Sequence, residues 1–150
     1  MMDMEREWKT RRYTLQQAVL EQYHADGVLI AGNANLFYYT GRVFTGYCYL
    51  PVQGEPVAFV RMPQNLTLAD ISVIPFRNPK QLPELLCQAG FSAPRVLMTE
   101  LGSISAQEYL QLSSLFEAEW RDAGTLIRTL RSVKSSCELE LIRKTCILHA

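Results

Sequence analysis

The chain has 150 residues, 48% of them apolar, with fifteen Lys+Arg balancing fifteen Asp+Glu. That is enough apolar surface for one folded domain and excludes a disordered chain. The charges are spread evenly, six basic and seven acidic in the first 75 residues, so no polyanion-binding face is implied and nucleic acid is not an expected partner.

No apolar run approaches the roughly 20 residues that span a bilayer, so no membrane partner is expected. The opening Asp3-Met4-Glu5-Arg6-Glu7-Trp8-Lys9 mixes acids with bases and leads into no hydrophobic stretch. It does not read as a secretory signal, which leaves the cytoplasm as the expected compartment. Cys48, Cys87, Cys137 and Cys146 are scattered, without a C-x-x-C pair, and read as reduced thiols.

In chain order, Tyr13, Ala18, Val19 and Tyr23 recur at helical intervals, predicting an amphipathic helix from Thr10 to about Ala25, closed by Asp26-Gly27. Val28-Leu29-Ile30-Ala31 is wholly apolar and bounded by glycines, as expected for a central strand covered on both faces. Asn35 to Thr40 reads as a short helix closed by Gly41. Residues 47–50 and 57–60 form two β-rich runs around a Pro/Gly turn, a hairpin.

Ile71 to Ile74 is a further strand, and Leu82 to Ala89 a helix bounded by prolines and Gly90. Arg95 to Met98 is a strand, and Ser105 with Glu108 has capping-box spacing for a helix to about Ser114. Phe116 to Trp120 alternates apolar and acidic residues and is read as the last strand. Helices from Ala123 to Leu130 and from Ser135 onward complete the chain, the second with Ser135 and Glu138 again at capping-box spacing. The expected fold is α/β: a mixed five- or six-stranded sheet, its antiparallel part supplied by the hairpin, with helices on both faces.

The final helix is unusual. On a helical projection Cys137, Leu139, Leu141, Ile142, Cys146 and Leu148 cover about half the circumference, wider than one packing face requires. This suggests residues 1–130 as an α/β domain and 131–150 as a linker and connector helix into a following domain. The alternative is a helix docked on its own domain.

Catalytic chemistry is scarce. His24 and His149 are the only histidines and lie at opposite ends of the chain; no catalytic residue or metal site is assigned, and both read as surface side chains. Glu117 and Glu119 share a strand face but read as solvated, while Glu138 and Glu140 point to different sides of a helix. Cys48 has no base near it in sequence and reads as a small buried hydrophobe. Arg128, Arg131 and Lys134 recur at three-residue steps and are expected to cap carbonyls, snorkel, or pair with acids across a junction. Aromatics gather around Arg42, just past the first strand, where open α/β sheets place ligands. Phe37, Tyr39, Arg42 and Phe44 are therefore the candidate edge of a substrate pocket.

Two segments together resemble the amino-terminal domain of the creatinase, prolidase and Xaa-Pro aminopeptidase family. Asn35-Leu36-Phe37-Tyr38-Tyr39-Thr40-Gly41 is similar to that family's Asn-x-x-Tyr-Leu-Thr-Gly passage. Leu130-Arg131-Ser132-Val133-Lys134-Ser135-Ser136-Cys137-Glu138, followed by Ile142-Arg143, is similar to its Arg-x-x-Lys-Ser-x-x-Glu passage into the catalytic domain. The matching positions are Asn35, Tyr38, Thr40, Gly41, Arg131, Lys134 and Glu138. Tyr39, Arg42 and Thr145 depart from the usual leucine, aromatic and alanine. The resemblance implies a ribonuclease H-like fold and a homodimeric Xaa-Pro aminopeptidase or Xaa-Pro dipeptidase acting on proline-containing peptides. It implies two divalent metals, Mn, Co or Zn, held in a carboxyl-terminal domain this chain does not contain. The domain in hand would then support dimerisation and restrict substrate access. A free-standing ligand-binding or regulatory module, a creatinase-like C–N hydrolase and an inactive scaffold are the alternatives.

Overall fold

A computed structural model describes residues 3–150. Asp3 accepts the Arg6 amide at 3.1 Å and so caps helix α1, Met4–Ala18, which continues as one wider turn over Val19–Tyr23. The helix begins earlier than its sequence periodicity predicts, and its inner face is rotated. Arg12, Leu15, Ala18 and Val19 are buried, whereas Tyr13 is 62% exposed. Leu15, Ala18 and Val19 stand at i, i+3 and i+4, and seating that trio on the sheet carries Arg12 inward and Tyr13 out.

Next come β1 (Gly27–Ile30), α2 (Asn33–Thr40), β2 (Thr45–Pro51), β3 (Val57–Met62) and β4 (Ser72–Pro75). A short 3₁₀ turn at Pro79–Gln81 leads into α3 (Leu82–Gln88), followed by β5 (Val96–Thr99), α4 (Ala106–Leu115), β6 (Glu119–Asp122), α5 (Gly124–Ser132) and α6 (Ser136–His149). The six strands form one sheet in the order β4-β3-β2-β1-β5-β6. β2 is antiparallel to both β1 and β3, while β1 with β5, β5 with β6, and β3 with β4 run parallel. The mixed sheet expected from the hairpin and the β/α alternation is thus the observed one.

The period-two alternation of strand side chains divides the core. Val28, Ile30, Cys48, Leu50, Ala58 and Val60 point toward the side carrying Leu15, Leu36 and Ile127 of α1, α2 and α5. Leu29, Tyr47, Tyr49, Val57, Phe59 and Leu97 point toward Leu82, Leu86 and Leu112 of α3 and α4. Both faces of β1 are covered, which is why its sequence is apolar without alternation. Fully burying each Val, Leu, Ile or Phe among them stabilises the fold by about 1.5–3 kcal/mol.

The last strand lies further along than expected. Phe116 is the C-cap of α4, its amide still donating to the Leu112 carbonyl, and pairing with β5 begins only at Glu119. Between them the chain bends, the Ala118 amide donating to the Phe116 carbonyl at 2.8 Å, so the alternation of exposure from Phe116 to Glu119 precedes any ladder. Ser105 accepts the Glu108 amide at 3.1 Å, but the second half of the expected capping box is replaced: the Glu108 carboxylate accepts the Tyr47 hydroxyl at 2.6 Å. The box at Ser135 and Glu138 is complete.

α6 has no buried residue, and every residue from 139 to 150 is exposed. Ile147 and Leu148 are 75% and 84% exposed. From Leu139 onward its apolar side chains are therefore open to solvent.

Candidate functional site

Open α/β sheets bind ligands beyond the carboxyl ends of their parallel strands. Here that position, between β1 and β5, is filled from within. Thr99 ends β5, donating its hydroxyl to the Leu29 carbonyl at 2.8 Å, and the next residue, Glu100, is buried with 1% exposure. Its carboxylate accepts the amides of Ala31 and Gly32 at 2.7 and 2.9 Å, just ahead of α2, and an amide proton of Asn35. A β-carbon on Gly32 would lie 2.7 Å from a Glu100 oxygen, so the approach needs glycine. These donors at the start of a helix would otherwise suit an anionic ligand; in this fold the protein supplies the anion.

The network continues outward. The Asn35 carbonyl oxygen accepts from Arg131 Nη1 at 2.8 Å, and the Arg131 guanidinium stands over the Tyr38 ring, 4.9 Å from its centroid. The Arg11 guanidinium lies 4.0 Å from the same centroid and donates to the Tyr38 carbonyl at 2.9 Å. Arg11 also meets Glu7 at 3.2 Å and Glu138 at 3.7 Å. Ser135 donates its hydroxyl to Glu7 at 2.6 Å and its amide to Glu138 at 2.9 Å, and Lys134 caps the Arg131 carbonyl at 2.5 Å. Burial, then the nearby Glu138 charge, pushes the Tyr38 phenol above its ordinary value. α1, α2, α5 and the first turn of α6 are thereby joined by charge-assisted hydrogen bonds and cation–π contacts.

The four candidate pocket-edge residues are divided. Tyr39 and Phe44 go into the core at 1% and 4% exposure, while Phe37 and Arg42 are open to solvent. Helical geometry separates them: Phe37 leaves the face that Leu36, Tyr39 and Thr40 press on the sheet. Thr40 donates to the Leu36 carbonyl at 2.7 Å, and Gly41, at φ +80° in the left-handed region, closes α2 by donating to the Phe37 carbonyl. The larger surface depressions lie elsewhere, such as one of about 600 Å³ lined by Asp26, Tyr49, Phe91 and Arg95 at the opposite end of β1.

His24 is exposed and ends the first helical segment in the left-handed conformation, and His149 is exposed on α6. Glu117 is exposed, and Glu119 is exposed beside Arg121 at 3.1 Å. Glu138 turns inward to the cap while Glu140 pairs with Lys144 at 2.9 Å. Cys48 is fully buried, and burial pushes its thiol up to about 12, which fits a packing role and not a nucleophile. Among the described residues no three His, Cys, Asp or Glu side chains converge as metal ligands. The described residues thus offer no cradle for the two metals that the resemblance implies.

The sequence profile of the Creatinase/Prolidase N-terminal domain matches residues 11–133. The chain belongs to this family. A prolidase from Pyrococcus horikoshii superimposes with a TM-score of 0.75 at 21% identity, over 92% of this chain and 40% of that one. A proline dipeptidase from Streptococcus pneumoniae gives 0.68 at 21% identity, over 80% and 98%. The Creatinase/Prolidase N-terminal domain of a Streptococcus pyogenes X-Pro dipeptidase gives 0.63 at 15%, over 79% and 98%. At these identities the likeness shows the fold. No curated protein sequence matches the chain.

Four of the seven positions that resemble the creatinase/prolidase motifs, Asn35, Tyr38, Arg131 and Glu138, are neighbours in the one polar network, and Lys134 caps it. They tie helices together. Sequence reasoning missed Glu100, Glu7 and Arg11. Glu100 alone carried a signal, an acid directly after a buried strand. No helix is long and apolar enough to cross a membrane among the described residues.

Proposed function

We propose that this chain serves as the non-catalytic amino-terminal domain of an Xaa-Pro dipeptidase or Xaa-Pro aminopeptidase, with metal-dependent hydrolysis carried by a carboxyl-terminal domain. Membership of the creatinase/prolidase N-terminal domain family and the likeness to prolidase structures support this reading. The observation that carries it is α6: an apolar helix fixed by polar contacts at its first turn and bare beyond it. Residues 131–150 then act as linker and connector, and the apolar face of α6 rests on the catalytic domain.

In this reading the domain selects substrates sterically. Phe37 and Arg42, exposed on α2 and just past its end, stand at the mouth of an active site in a homodimer and exclude long or folded peptides. A proline-containing peptide is the substrate, two divalent metals in the carboxyl-terminal domain polarise its carbonyl and activate water, and the enzyme works in the cytosol.

The test has two arms. This 150-residue chain, assayed on Xaa-Pro dipeptides and tripeptides with added manganese or cobalt, shows no turnover; clear activity would place the chemistry here and overturn the proposal. In an enzyme carrying both domains, Phe37→Ala and Arg42→Ala change the preference between short and long peptides and leave metal content intact. Loss of bound metal, or unchanged preference in both variants, would refute the access role.

A further inference from the structure

We infer that Arg131 is a positioning residue that fixes the direction in which α6 leaves the α/β body, by latching the end of α5 to the buried Glu100 through Asn35. The argument starts from what α6 lacks. With no buried residue and with residues 139–150 all exposed, apolar packing cannot set its direction. Its direction is set at its root by polar groups. On one side stand the α1 contacts: Ser135 on Glu7 at 2.6 Å and Glu138 near Arg11 at 3.7 Å. On the other side stands Arg131, and the linker between it and α6 is short, with Val133 extended and Lys134 returning to the Arg131 carbonyl.

Arg131 is held by chemistry that leaves it little freedom. A carboxylate with 1% exposure needs compensation for its charge. Glu100 takes two backbone amides and the Asn35 NH₂, and that last bond decides which way the Asn35 amide points: its carbonyl oxygen faces outward. There it accepts from Arg131 at 2.8 Å. The guanidinium is thus the counter-charge to a buried carboxylate, relayed through one amide, and each bond in the relay polarises the next. The guanidinium carbon also lies 4.9 Å from the centroid of the Tyr38 ring, a second attraction on the same group. A lysine ammonium is a point charge and does not stand over the ring and reach Asn35 as a planar fork does.

The orientation claim concerns this chain alone; only its bearing on catalysis rests on the reading that a catalytic domain follows α6. The native thiols permit a direct measurement. Cys87 and Cys146 are exposed, on α3 and α6, whereas Cys48 is sealed in the core. With Cys137→Ala in every sample, spin labels on Cys87 and Cys146 report the distance between the body and α6 by pulsed electron resonance. The parent gives one narrow distribution, and Arg131→Ala and Glu100→Gln widen it about twofold as the root of α6 loosens. Arg131→Lys stays wide. Near-UV circular dichroism keeps its folded signature in Arg131→Ala, since this half-buried site opens to water.

An unchanged width in folded Arg131→Ala, full rescue by Arg131→Lys, or a distribution already broad in the parent would each overturn the inference. If Glu100→Gln fails to fold, the two Arg131 variants decide. These readings involve no peptide and no metal, so failure of the peptidase proposal leaves them standing, and their failure leaves that proposal standing.

Discussion

Replacing Gly46 with alanine tests whether the start of β2, which carries the Arg42 to Phe44 segment into the sheet, is locked by backbone contact. Gly46 has φ +152° and lies where the β2/β3 register shifts. A β-carbon there would sit 2.0 Å from the Phe59 carbonyl oxygen and 3.1 Å from Val60 Cα. Ordinary contact begins at 3.4 Å, so β3 must retreat by about 1.4 Å from β2 beside Phe59, whose side chain is 2% exposed. Losing two cross-strand hydrogen bonds costs about 1 kcal/mol each, and holding a non-glycine at this φ about 1–3 kcal/mol. The expected loss is about 3–5 kcal/mol. Gly41→Ala is the reference. It too has a positive φ, but its obstacle is the outer edge of the half-buried Trp8 indole, which can rotate away, leaving about 1–2 kcal/mol. Urea unfolding followed by fluorescence gives both values, and with a mid-range slope of about 2 kcal/mol/M the midpoints differ by about 1 M. Equal losses in the two variants would refute the backbone-contact argument.

Three further outcomes follow from buried or bare side chains. Arg12 is 4% exposed and donates to the Tyr39 carbonyl at 2.7 Å, and burial holds its guanidinium below the ordinary value; Arg12→Ala costs about 3 kcal/mol in urea unfolding, and Arg12→Met, which keeps the packed stem, about half that. The Cys48 thiol is raised from 9.0 to about 12 by burial, so its stabilising contribution is complete below pH 9 and is lost as pH rises toward 12, at about 1.4 kcal/mol per pH unit. Tyr49, also pushed up to about 12 by burial, adds to the slope above pH 10, and an alkaline slope identical in Cys48→Ala would contradict the assignment to Cys48. Ile147→Ser with Leu148→Ser changes thermal stability by less than about 0.5 kcal/mol, and a loss above about 1 kcal/mol would mean that this chain itself covers α6.

The fold was largely legible because its signals are local. β1 is recognisable as a doubly covered strand from four apolar residues between glycines, and the hairpin from two β-rich runs around a Pro/Gly turn. What failed locally was decided by tertiary contact. α1 was placed too late and turned too far, because Arg12 counts as polar in any periodicity although its stem packs and its head reaches Tyr39 O. β6 starts later than its alternation suggests because residues 116–118 form the turn out of α4, with Ala118 bonded to Phe116, and only Glu119 reaches β5. Glu108 has capping-box spacing, yet Tyr47, far off in sequence, claims its carboxylate.

The polar network shows what four of the motif positions do within this domain. Asn35, Tyr38, Arg131 and Glu138 are the residue types one would list for a binding site, and the crevice beyond β1 and β5 is where a ligand would be sought. The residue that settles the matter is Glu100, outside every motif. By occupying the amides ahead of α2 it removes the anion site and turns Asn35 outward to Arg131. A cluster that would otherwise recognise a ligand instead holds the chain's own helices, and its free end points at the root of α6. Glu100→Ala therefore separates the two roles: with the carboxylate gone, phosphate or acetate at tens of millimolar raises the melting temperature of the variant and not that of the parent. Equal response of parent and variant would show that Glu100 does not stand in for a ligand.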